Sequence, residues 1–172
     1  MAEKILVALD HSPMSDRVFQ DSLKLAQALG AELLLVHVLS SGSADSPKLP
    51  TMPILDYYPS YNASAMEVFE QAWQAYEQKG QAMLDRLQAT AAAAGLTVQA
   101  RQVQGAAGAI LCREAKDFGA TLIVMGRRGH SGLSELLLGS VSNYVLHHAP
   151  CSIYVINAVP EAQPLPPLKD EL

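Results

Sequence analysis

Four short, almost wholly apolar runs punctuate the chain: Ile5-Leu6-Val7-Ala8-Leu9, Leu33-Leu34-Leu35-Val36-His37-Val38, Leu122-Ile123-Val124-Met125 and Ser152-Ile153-Tyr154-Val155-Ile156. Strands buried on both faces need continuous runs of this kind, because neither face meets water. A fifth segment, Thr97 to Val103, alternates apolar with polar residues, which predicts a strand near a sheet edge. Between the runs the period changes to that of helices. The first helix is expected to be capped by Asp10 or Ser12, with Pro13 in its first turn. Val18, Ser22, Leu25, Ala26 and Leu29 form its buried face, and Gly30 is its stop. In the second, Met66, Phe69, Trp73, Tyr76, Met83, Leu87 and Ala91 recur at helical spacing before Gly95, and Gly80 marks a bend. Its aromatic stripe reads as packing rather than as a ligand platform. Strand and helix alternate through the whole order, which argues for βαβ units and a parallel sheet with helices on both faces.

Two stretches escape this pattern. Ser40 to Ala65 holds Pro47, Pro50, Pro53 and Pro59 and the cluster Tyr57-Tyr58-Pro59-Ser60-Tyr61, and so reads as an insertion between the second strand and the second helix. A lid over the site and a contact between subunits are the two roles expected of it. The proline-rich tail 158–172 reads as flexible, which leaves one domain over 1–157. Its last residues, Lys169-Asp170-Glu171-Leu172, spell an endoplasmic-reticulum retention address, read here as chance within an acidic tail.

Composition narrows the function classes. The 172 residues carry a net charge of −5, which argues against nucleic acid or an anionic membrane as partner. The apolar runs are too short to span a bilayer. Met1 leads straight into the first strand without the apolar stretch of a secretion signal, and the expectation is a cytoplasmic protein. The two cysteines, Cys112 and Cys151, have no metal-site or disulfide-framework spacing. His37 lies in an apolar strand and reads as a core histidine. His147-His148 sits at a helix end whose dipole favours it. Cys151 reads as buried and inert, and no catalytic or metal-ligating set stands out.

Candidate chemistry concentrates in Val124-Met125-Gly126-Arg127-Arg128-Gly129-His130 and Leu138-Gly139-Ser140-Val141-Ser142. A buried strand ends at Met125, and a glycine turn at Gly126 lets backbone amides approach a phosphate closely. Gly139-Ser140 then opens a helix whose first amides have no intrahelical partner, a setting suited to anions. Ser140 and Ser142 add hydroxyls, and Arg127, Arg128 and His130 add charge. The plainer alternative is that these glycines only shape loops. Neither a dinucleotide-binding glycine fingerprint after the first strand nor a phosphate loop ending in Gly-Lys-Ser/Thr is present.

The spacing Gly126, two residues, Gly129, nine residues, Gly139-Ser140 resembles the nucleotide-binding signature of the universal stress protein family. Ile5 to Ser12 is similar to that family's opening strand and loop. Gly105 with Ile110 and Ala115 resembles a later segment, and Leu138 to Val145 through Ala149-Pro150-Cys151 resembles its close. The resemblance implies a single open five-stranded parallel sheet of order 3-2-1-4-5, helices on both faces, in the adenine-nucleotide alpha-hydrolase-like arrangement. It further implies that Ala8, Leu9 and Asp10 hold the adenosine, with Val38 near the base. Met125, Gly126, Arg127, Arg128, Gly129, His130, Gly139, Ser140, Val141 and Ser142 take the phosphates. Asp10 would accept from ribose hydroxyls, its other reading being a helix cap. ATP or AMP is the expected ligand, with Mg2+ accompanying ATP, and the basic Arg127-Arg128 pair favours ATP. The function so implied is a stress-response sensor or regulator, homodimeric through the last strand, 152–156. The alternative is a slow ATPase or phosphotransferase, ranked second because no general base or carboxylate pair for Mg2+ accompanies the glycines. For the last strand the alternative to pairing is a tail folded over it.

Overall fold

A computed structural model describes residues 3–43, 45–49, 59–127 and 139–157; for 59–63 only the helical backbone is described. Five strands and four helices alternate among them: β1 (Lys4–Leu9), α1 (Met14–Leu29), β2 (Glu32–Leu39), α2 (Pro59–Ala93), β3 (Val98–Gln104), α3 (Ala107–Phe118), β4 (Leu122–Gly126), α4 (Ser140–His148) and β5 (Ser152–Ile156). All four strand pairings are parallel and the order is β3-β2-β1-β4-β5, as expected. The alternating β3 is indeed an edge.

The apolar runs split by parity between two cores. Ile5, Val7, Leu33, Leu35 and Val124 face α1 and α2. Leu6, Leu34, Val36, Ile123 and Met125 face α3 and α4. Leu6, Leu34 and Ile123 have no exposed surface, and full burial of such a side chain is worth about 1.5–3 kcal/mol. Runs apolar at every position thus serve two cores, which is why they do not alternate.

Four expectations need correction. Pro13 is the N-cap of α1, and no side chain caps that helix; Asp10 Oδ1 instead accepts from Ser12 N–H (2.9 Å), Ser12 Oγ and Ser15 Oγ (2.9 Å). Leu29, the last residue of α1, is 52% exposed and Met66 43%, whereas Phe19 is buried in the helix face that Leu29 was expected to extend. The second helix starts at Pro59, inside the supposed insertion, and proline suits a first helical position. Gly80, expected at a bend, has a packing reason: a Cβ there would lie 2.5 Å from His37 Nδ1 and would also strike Gln102 Oε1.

Candidate functional site

Strand order reverses between β1 and β4, so the connections leaving their carboxyl ends diverge to opposite sides and leave a crevice. That crevice is an open cleft of about 740 Å³. Of the residues expected at the site, Ala8, Leu9, Asp10, Val38, Met125, Gly126, Arg127, Gly139, Ser140, Val141 and Ser142 all line it. Arg128, Gly129 and His130 lie outside the described residues.

Asp10 follows β1 directly, and its carboxylate knits the turn into α1. Its own N–H donates to Ser15 Oγ (2.8 Å), and that hydroxyl donates back to Oδ1. The turn is thereby fixed with Asp10 at the cleft. Gly126 closes β4, where a Cβ would come within 2.6 Å of Met14 Cγ. A glycine there lets the first turn of α1 pack on the strand end, a reason independent of any ligand. Arg127 follows, its N–H donating to Ile156 O at 2.9 Å.

Gly139 is different. It is the N-cap of α4, with φ −57° and ψ 153°, a conformation open to any residue, and a Cβ there would meet nothing within 4 Å. No side chain caps α4, and its first intrahelical bond is Asn143 N–H to Gly139 O. The amides of Ser140, Val141 and Ser142 precede that bond, the three residues line the cleft, and the positive end of the helix dipole lies there. Among the described residues, packing gives no reason for glycine at 139.

Sequence reasoning missed one wall. Ser40, Gly42, Ser43 and Lys48, from the segment after β2, and Ala106 to Ala109 at the start of α3 also line the cleft. Gly108 allows that closeness, since a Cβ there would come within 2.7 Å of the Tyr144 ring of α4. Nothing periodic in Ser40 to Lys48 marks it as a wall.

Behind the turn, on the α2 side of the sheet, lies a second group of polar rings. His11 and His37 have ring centroids 4.8 Å apart, and Tyr76 of α2 packs edge-on to both, at 5.5 and 6.0 Å. Gln102 Nε2 donates to Glu77 O (3.1 Å), which turns its Oε1 toward His37 Nδ1 (3.1 Å) and fixes the donating tautomer there. His37 is therefore a satisfied core histidine, as expected. His11 Nε2 is buried and has no hydrogen-bond partner among the described residues. Burial lowers the pKa of both imidazoles, and the neighbouring His37 lowers that of His11 further. Cys112 and Cys151 are half-buried rather than buried, and burial raises both thiol pKa values.

Fold and cleft together define a doubly wound α/β protein with a crevice at its switch point, walled by a helix N-terminus. The sequence profile of the universal stress protein family matches residues 1–157, and the chain belongs to that family. It is 45% identical over 102 residues to the universal stress protein Slr1101 of Synechocystis, covering 59% of this chain and 94% of that one. With Sll1388 of the same organism it shares 33% identity over 157 residues, 89% and 96% of the two chains. Its fold matches that of universal stress protein UspA from Lactobacillus plantarum with a TM-score of 0.68 at 23% identity, covering 90% and 97% of the chains. Two other solved members of the family are complexes, one with cAMP and one, from Archaeoglobus fulgidus, with dAMP.

Proposed function

We propose that this protein binds an adenine nucleotide in the β1/β4 cleft and acts as a homodimeric sensor or regulator whose surface changes with occupancy. The single observation that carries the reading is Gly139 with the uncapped amides that follow it. Among the described residues nothing fills the space a Cβ at 139 would take, α4 starts there without a side-chain cap, and phosphate is the anion such a helix start suits. Asp10 sits one strand away, within the reach of a ribose, and the apolar Val38 offers a surface to a base. The cAMP and dAMP complexes of family members support adenine as the base. Arg127 adds positive charge where a polyphosphate lies, which supports ATP over AMP, with Mg2+ carried by the ATP. The glycine signature completed by Gly129 belongs to the same proposal.

Purified protein denatured in acid and examined by mass spectrometry releases an adenine nucleotide on this reading. Release of a guanine or pyrimidine nucleotide instead would overturn the choice of base.

A further inference from the structure

The segment after β2 is a knitted loop rather than a loose connection. Ser43 N–H donates to Ser40 O (3.0 Å) and Ser46 N–H to Ser43 O (3.3 Å). At the centre is Ser46, 5% exposed, whose hydroxyl lies 2.9 Å from both Ser41 O and Ser43 O. Lys48 closes the loop from outside. Its ammonium donates to Ser43 O (2.8 Å), Ser41 O (3.1 Å) and Ser46 Oγ (3.2 Å), which accounts for all three of its protons. Ser40, Gly42 and Ser43 are thereby held against the cleft as a wall.

This wall and α4 leave different strands of the sheet. The loop leaves β2, α4 follows β4, and β1 lies between them. Two strand spacings are about 10 Å, roughly the reach from a nucleotide's phosphates to its base. Resting on the nucleotide reading above, we infer that Ser46 and Lys48 are positioning residues for the nucleoside end of the ligand. They hold the Ser40–Ser43 wall that makes the cleft select a nucleoside phosphate over a bare polyphosphate. Lys48 lines the cleft as well, but its three donors are taken by loop acceptors, so it acts through the loop and not as a phosphate contact. Ser40 and Ser43 line the cleft, and a serine hydroxyl can donate or accept toward a base or ribose; Ser40 Oγ also accepts from Gly42 N–H (3.4 Å).

Calorimetry on the full chain separates the roles, with ATP, adenosine and inorganic tripolyphosphate as probes. Lys48→Met and Ser46→Ala are expected to weaken ATP and adenosine by the same factor, about three- to tenfold, and to leave tripolyphosphate unchanged. Lys48→Arg, which keeps donors on a long stem, restores most of the loss. Lys48 is exposed, so the variants keep the circular dichroism of the wild type. Wild-type affinity for ATP and adenosine in Lys48→Met would overturn the inference and leave the nucleotide reading standing. A parallel loss of tripolyphosphate would also overturn it, by making Lys48 a phosphate contact. A wild-type chain that binds no ATP removes both readings.

Discussion

Gly80, Gly126 and Gly139 lack a side chain for different reasons, and the differences are testable. At Gly80 the neighbours are His37 and Gln102, held by hydrogen bonds and unable to yield cheaply. Gly80→Val therefore overpacks the joint between α2 and the sheet, and a loss of about 1–3 kcal/mol is expected in urea unfolding. At Gly139 the space is open among the described residues, so Gly139→Val is expected to leave the urea midpoint unchanged within about 0.5 kcal/mol while blocking approach to the α4 amides. Gly126 sits between these cases: its Cβ would strike Met14 from one side, although the residue also lines the cleft. Its substitution would mix stability with binding, which makes Gly139 the cleaner probe. The glycine spacing was readable in the sequence, but the separate reasons were not, since each depends on what a different helix brings up.

Elements explain why some expectations held and others moved. The strands were legible because burial on both faces leaves no polar position, and the edge strand β3 because it does alternate. Helix faces were legible in part: Val18, Ser22 and Ala26 are buried, and Leu29, at the last residue of α1, is not. The start of α2 was hidden by proline and tyrosine clustering that looks like loop. The 40–48 wall was hidden because its signal lies in the hydrogen bonds of serines and a lysine, which have no period. The joint between the β1–α1 turn, β2 and α2 makes its own prediction. His11 and His37 face Asp10, Asp45, Lys79, Tyr76 and Gln102, and the folded chain holds both imidazoles below the usual 6.5. The unfolded chain therefore takes up protons first as pH falls. The stability linked to this pair is complete above pH 6.5 and is lost as pH drops through the folded values. Urea midpoints measured from pH 7.5 down to 5 are expected to fall, and His37→Gln is expected to flatten that slope. A midpoint in the wild type that is constant over this range would contradict it.

For the whole molecule, β5 is a sheet edge, and an edge with apolar side chains invites pairing with another chain. Ile153 and Val155 turn inward to the α3/α4 core, so the outward residues are Ser152 and Tyr154, the latter 45% exposed. We propose that two β5 strands pair antiparallel about a two-fold axis, which joins the sheets and places Tyr154 near its symmetry mate. Sedimentation is expected to show a dimer at micromolar concentration and a monomer for Tyr154→Lys, whose exposed position leaves the fold intact. A wild-type monomer would end the pairing. Among the described residues no helix is long and apolar enough to cross a membrane.

All of this turns on whether the cleft holds an adenine nucleotide. Calorimetric titration of ATP into the full chain, beside Gly139→Val, addresses that directly. Saturable binding of one ATP per chain, weakened at least tenfold in a variant of unchanged stability, is the predicted result. Equal affinity in the two proteins, or no saturable binding of ATP, AMP or cAMP to the wild type at millimolar concentration, would contradict it.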